Sequence, residues 1–260
     1  MENSTVVAVV ANYKYLKKYF YNFITQLRIN GMYNGDVLVI TSFYTPTFLI
    51  RSLNKDKNVK VKRFKNINFN SKTKKYLNEL NTGIQPNRFK TKKFQWNKLN
   101  LFDPYLKKWR FVFYLDINMK IHKNINKLLE IKPHNVLFAR SDSYPDYITK
   151  LSSQFDQTNL LFEKLESRYY LNTTNYFQTG ILYYDTSIIN EKTKKDILNL
   201  VDEFPISTTN EQGILNLFFK YETNVYTELP LIVDEKTTYF YWLLPNEEII
   251  ITKQDRIKYK

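Results

Sequence analysis

The chain has 260 residues, 43% of them hydrophobic and 17% aromatic, and carries a formal net charge of +14. That apolar content supports one sizeable core and excludes a disordered chain, the lack of cysteine excludes disulfides and cysteine metal sites, and two histidines, His122 and His134, exclude a multi-histidine zinc site. The charge is concentrated between Arg51 and Lys98, where 15 Lys and Arg face two acids, Asp56 and Glu79, a block that points to a polyanion such as nucleotide phosphates, anionic lipid or nucleic acid.

Met1-Glu2-Asn3-Ser4 lacks a basic n-region, and the apolar run from Val6 to Ala11 is too short for a signal peptide or a membrane span, so a soluble protein made in the cytoplasm is expected. No linker or internal repeat interrupts the chain. A single domain over 1–260 is expected, with a nucleotide-binding half to about residue 120 and an acceptor-side half from about residue 121.

Thr5 to Ala11 is β-branched and apolar and predicts a buried first strand. Tyr13, Leu16, Phe20, Phe23, Ile24 and Leu27 then recur at helical spacing, and Asp36 to Thr41 predicts a second strand, which makes the opening a βαβ unit. A short helix from Pro46 to about Leu53 and a third strand from Val59 to Phe64 follow. Asn66 to Asn87 is polar and lysine-rich and reads as a loop or lid.

Arg88 to Phe102 predicts a helix ended by Asp103-Pro104. Phe94, Lys98, Leu101 and Tyr105 fall at i, i+4, i+7 and i+11, which sets Lys98 on an apolar stripe. Two roles fit it: a side chain that lends its methylenes to the core, or an ammonium that meets phosphate or sugar oxygens. Phe111 to Ile117 then reads as a strand buried on both faces, interrupted only by Asp116. Ligands of open α/β sheets sit past the carboxyl ends of such strands. Asp116 and Asn118 are two apart, share a face on an extended backbone, and offer oxygen ligands suited to Mg²⁺ or Mn²⁺; the simpler alternative is a turn cap.

Ile125 to Leu129 predicts a short helix, and Asn135 to Arg140 a strand that ends at Ser141-Asp142. Two short helices are expected between Pro145 and Tyr170. Tyr176 to Gly180 leads into a strand from Ile181 to Tyr184, and Gly180 would permit close backbone approach to a ligand. Glu191 to Phe204 is amphipathic. Thr208 or Thr209 is expected to cap a helix from Asn210 to Tyr221, with Glu211 and Gln212 in its first turn. Short strands, including Val225 to Thr227 and Glu248 to Thr252, close the chain around the aromatic run Tyr239 to Trp242.

Trp96-Asn97-Lys98-Leu99, then Phe113 to Asn118, then Phe177-Gln178-Thr179-Gly180-Ile181, then Glu211 to Asn216 stand in an order and spacing that resembles glycosyltransferases of the GT-A fold, most closely glycosyltransferase family 8, the glycogenin and lipopolysaccharide galactosyltransferase group. The resemblance runs from about Thr5 to Phe219. It implies a Rossmann-like mixed α/β sheet flanked by helices, and transfer of a hexose from a nucleotide sugar, of the UDP-glucose or UDP-galactose type, to an acceptor hydroxyl with retention of configuration. It also implies Mn²⁺ or Mg²⁺ at Asp116 and Asn118. Nucleotide-sugar contacts are implied at Ala8, Asn12, Tyr13, Lys98, Asp116, Ile117, Asn118, Gln178, Thr179, Gly180, Glu211 and Gln212. Tyr13 would stack on the base, and Gln212, Asp142 and Lys98 carry the catalytic assignment. The acceptor is a glycan, a protein or a lipid-linked glycan, the last held near an anionic membrane by the basic block.

Two departures stand against that pattern. The second residue of the metal pair is an amide, and the family's C-terminal His-x-x-Gly-x-x-Lys-Pro-Trp segment is missing, since no histidine follows His134. Asp234 and His122 are the candidates for a third ligand, and lysines of the basic block are the alternative neutralisers of a diphosphate. The rival reading is a degenerate GT-A fold that binds polyanions or nucleic acid, for which no nucleic-acid module is visible.

Overall fold

A computed structural model describes residues 4–56, 58–81, 92–141, 149–245 and 248–257. Seven strands form the main sheet in the order β3 (Val59–Phe64), β2 (Asp36–Ser42), β1 (Thr5–Val10), β4 (Phe111–Leu115), β7 (Phe177–Asp185), β6 (Leu137–Ser141), β8 (Tyr226–Glu228). The first four run parallel; β7 is antiparallel to both β4 and β6. A second sheet orders β5 (Lys120–Ile121), β11 (Ile249–Thr252), β10 (Lys236–Phe240) and β9 (Ile232–Val233).

The period of two explains why these strands are apolar throughout. Val6, Ala8, Val112 and Tyr114 face one core, whereas Val7, Val9, Phe111, Phe113 and Leu115 face the other. The helix Tyr13–Ile29 covers the second core with Leu16, Phe20, Phe23 and Leu27; the helices Leu161–Arg168, Thr193–Glu203 and Glu211–Leu217 cover the first. Strand order reverses at β1, with β2 on one side and β4 on the other, and a crevice for ligands opens at their carboxyl ends. Among the described residues no helix is long and apolar enough to cross a membrane.

Three expectations need correction here. The polar stretch after β3 contains the helix Ser71–Glu79, capped by Asn70, whose side chain accepts from Thr73 N; residues 82–87 lie outside the described residues. Only Thr73 and Leu77 of this helix are buried, and Thr73 Oγ1 donates to Asp202, so the docked face is too narrow for its periodicity to show among the lysines. The stretch Trp96–Phe102 is a 3₁₀ helix and not a continued α-helix, and all seven of its residues are buried. Finally, the helix at Glu211 begins after Asn210 at φ 57° with no side-chain cap from Thr208 or Thr209, and it passes into a π-helical turn, Phe218–Glu222.

Leu77 is the anchor that distinguishes a docked helix from a mobile loop. Leu77→Ala is expected to lower unfolding stability by about 2 kcal/mol, the low end for buried leucine because the site lies at the margin of the core. Urea unfolding of both proteins measures it; an unchanged midpoint would mean that this segment does not pack.

Candidate active site

Asp116 follows β4 directly, and its backbone N donates to Gly180 O at 2.9 Å, so the carboxylate is fixed against β7. Its Oδ1 accepts from Tyr114 Oη at 2.6 Å and pairs with Lys98 Nζ at 3.1 Å, and its Oδ2 pairs with Lys253 Nζ at 2.5 Å. Burial alone would raise this carboxyl, but the Lys253 and Lys98 ammoniums and the Tyr114 hydroxyl outweigh it and hold the group well below the usual carboxylate range. Burial pushes the Tyr114 hydroxyl well above its ordinary value, reinforced by Asp116, so it stays a donor.

Lys98 is buried in the 3₁₀ helix and lines both cavities described below. Its ammonium, 7% exposed, pairs with Asp116 and with Glu211 Oε1 at 2.9 Å and donates to Thr179 O at 3.3 Å. Burial would lower it, yet Asp116 and Glu211 hold it above the usual lysine range. It is a positioning group that ties two carboxylates together.

Glu211 begins the helix Glu211–Leu217 and is 2% exposed. Its Oε1 also accepts from Thr179 Oγ1 at 3.1 Å, and its Oε2 has no hydrogen-bond partner. Gln212 Oε1 accepts from Thr179 N at 3.0 Å while its Nε2 donates to Gln154 Oε1 at 2.8 Å, which fixes the amide orientation. Gln178 Oε1 accepts from Tyr239 Oη at 2.8 Å. A Cβ on Gly180 would lie 2.6 Å from Met119 Cε, so a larger residue here would displace the end of the Met119 side chain, and 3.6 Å from Asp116 Oδ2, an ordinary contact.

Two cavities meet at this cluster. One, of about 400 Å³, is lined by Gln178, Thr179, Gly180, Glu211, Gln212, Tyr239, Tyr241 and Lys92. The other, of about 250 Å³, is lined by Val10, Ala11, Asn12, Tyr15, Phe94, Ile117 and Asn118. Gln95, Lys98, Asp116 and Lys253 line both. Of the nucleotide contacts expected from the resemblance, Asn12 past β1 and Ile117 past β4 line the smaller cavity, although the Asn12 side chain also caps the first helix by accepting from Tyr15 N at 3.0 Å. Ala8 is not: it is fully buried inside β1, paired with Leu38 and Tyr114. Tyr13 packs edge-on against Phe48, and Tyr15 takes its place on the cavity wall. Asp142 lies outside the described residues.

The residue that sequence reasoning missed is Lys253. Besides Asp116 it donates to Asn118 Oδ1 at 2.8 Å, so the oxygen pair expected to hold a divalent cation holds an ammonium. Neither candidate for a third ligand completes a metal centre. His122 Nε2 shares a hydrogen bond with Thr252 Oγ1 at 2.8 Å, Asp234 pairs with Lys236, and among the described residues no group of three His, Cys, Asp or Glu side chains could hold a metal ion. The residues in this arrangement do not fit a divalent metal at Asp116 and Asn118.

No protein-family model and no curated protein matches the chain. Among solved structures it is similar to the galactosyltransferase LgtC in complex with donor and acceptor sugar analogs, with a TM-score of 0.55 and 14% identity over 92% of this chain and 76% of that one. It is also similar to mouse xyloside xylosyltransferase 1 in its apo form, with a TM-score of 0.54 and 11% identity over 97% of this chain and 98% of that one. The bifunctional glycosyltransferase WbbM matches with a TM-score of 0.55 and 16% identity over 97% of this chain, which spans 46% of the WbbM chain. The fold is that of the GT-A glycosyltransferases, a mixed sheet flanked by helices.

Lys98→Met removes the shared partner of the buried Glu211 and the half-buried Asp116 and is expected to destabilise the fold by about 3–5 kcal/mol, since Glu211 is left as an uncompensated buried charge. Chemical denaturation checks this. Because the Asp116 carboxyl is depressed in the folded state, its contribution is complete above its unfolded value of about 4 and is lost as pH falls below it. The wild-type denaturation midpoint should therefore fall with acid below about pH 4, and a midpoint indifferent to Asp116→Asn in that window would contradict the assignment.

Proposed function

We propose that the chain is a glycosyltransferase of the family 8 type that moves a hexose from a nucleotide sugar, of the UDP-glucose or UDP-galactose kind, to an acceptor hydroxyl with retention of configuration. The observation that carries this reading is the meeting of Asp116, Thr179, Glu211 and Gln212 where two cavities join at the carboxyl ends of β1 and β4, the ligand crevice of an open α/β sheet. The smaller cavity, bounded by Asn12 and Tyr15, suits the nucleoside. The larger, with its amide, hydroxyl and carboxylate lining, suits a sugar and the acceptor.

In the transfer, the bond between the anomeric carbon and the diphosphate oxygen breaks and its electron pair leaves with the diphosphate. The acceptor oxygen bonds to the same face of the carbon, and its proton passes to the departing phosphate oxygen. Gln212, held at both ends of its amide, orients the sugar, and Glu211 beside it holds Lys98 and Thr179 in place. Donors fixed where negative charge develops are usually the largest catalytic contribution. The acceptor class is a glycan, a protein or a lipid-linked glycan.

A panel of nucleotide sugars, scored for hydrolysis and transfer, tests the reading. Gln212→Ala is expected to lower kcat by about 10²-fold or more with a smaller change in KM. UDP should raise the melting temperature by mass action, whereas an oligonucleotide at physiological salt should not. Stabilisation by oligonucleotide alone would turn the assignment toward a polyanion-binding protein.

A further inference from the structure

The placement of Lys253 is built into the backbone. Strand β5 begins two residues after Asn118 and pairs antiparallel with β11, Ile251 opposite Ile121 and Thr252 opposite Lys120. Extending that register sets Lys253 opposite Met119, beside the end of β4. Its own N donates to Phe240 O at 3.3 Å and Tyr241 O at 3.2 Å, which fixes the residue to β10 as well. A flexible surface lysine has no such constraint.

We propose that the Lys253 ammonium takes the position of a divalent cation and that the site binds the diphosphate of its nucleotide sugar without one; this rests on the glycosyltransferase reading. An ammonium has three donors. Two go to Asp116 Oδ2 and Asn118 Oδ1, and the third has no partner among the described residues, in a side chain that lines both cavities at their junction. A diphosphate that reaches from the nucleoside cavity to the sugar cavity passes this point. The same two oxygens cannot also ligate a cation unless Lys253 leaves, since a divalent ion and the ammonium would share them against mutual repulsion.

The amide at Asn118 fits this arrangement. With Lys98 and Lys253 against Asp116 and Glu211, the cluster is neutral, and a second carboxylate at 118 would oppose an incoming diphosphate. Asp116 and Asn118 then act as positioning residues for the ammonium, and Lys253 is the group that touches the phosphate. During transfer it stabilises the oxygen that takes up the electron pair of the breaking bond.

Calorimetry with UDP and with uridine, in EDTA and in excess Mn²⁺, tests this directly. UDP is expected to bind in EDTA, with little change on adding Mn²⁺. Lys253→Met, which keeps the packing of the stem, should weaken UDP by about tenfold or more while uridine changes by less than about twofold. Electron paramagnetic resonance of Mn²⁺ with the wild-type protein should show no tightly bound ion, a measurement that does not depend on the variant folding. UDP binding that requires Mn²⁺, or a tightly held Mn²⁺ in the wild type, overturns the inference and leaves the glycosyltransferase reading standing. Failure of UDP and every other nucleoside diphosphate to bind in either condition removes that reading, and this inference with it. Equal loss of UDP and uridine in Lys253→Met would mark a structural lysine and overturn the role given to it here.

Discussion

One half-buried carboxylate, Asp116, sets the terms for everything around it. A charge partly withdrawn from water persists only where opposite charges and hydrogen-bond donors surround it, and here they come from three places: Tyr114 two residues earlier on the same strand face, Lys98 from the 3₁₀ helix, and Lys253 from the end of β11, while the Asp116 backbone N donates to Gly180 O and fixes the backbone beneath. Through Lys98 the constraint extends to Glu211 and the start of its helix. The segments that converge on the crevice are held in register by the electrostatics of one residue.

This dependence explains which parts of the molecule were legible in the sequence. Val59–Phe64 alternates and is a strand over the expected bounds, and β4 appears where the apolar run predicts it, because these signals are local. The apolar stripe points to Lys98, but its ion-pair partners, Asp116 and Glu211, belong to other elements and are not legible from it. Tyr13 and Tyr15 illustrate the same limit: both follow β1, and only helix rotation decides that Tyr15 faces the cavity while Tyr13 meets Phe48. Lys253 carries no motif. The only signal is a short β-branched strand ending in a lysine, and its pairing with a two-residue strand after Asn118 spans 137 positions from Asp116.

The basic block shows how little net charge says about a site. Lys60 is engaged by Asp36 and the Trp109 ring, Lys62 lies over Tyr105, and Arg63 over Phe43, all on the surface near β3. Exposed pairs of this kind contribute little to stability. Of the block's described basic residues, Lys92 and Lys98 line the cavities at Asp116, and only Lys98 is buried. Lys253, which lines both cavities, lies far outside the block.

The amide at Asn118 and the ammonium of Lys253 are best understood as one feature. An aspartate at 118 beside Asp116 would draw a divalent cation, and an ammonium there would then be excess positive charge. An asparagine lowers the demand for charge to what a single lysine satisfies, and the lysine's remaining donor makes the compensated pair into a binding group. The second sheet thus delivers an ammonium to the end of β4, where it meets both oxygens of the Asp116 and Asn118 pair.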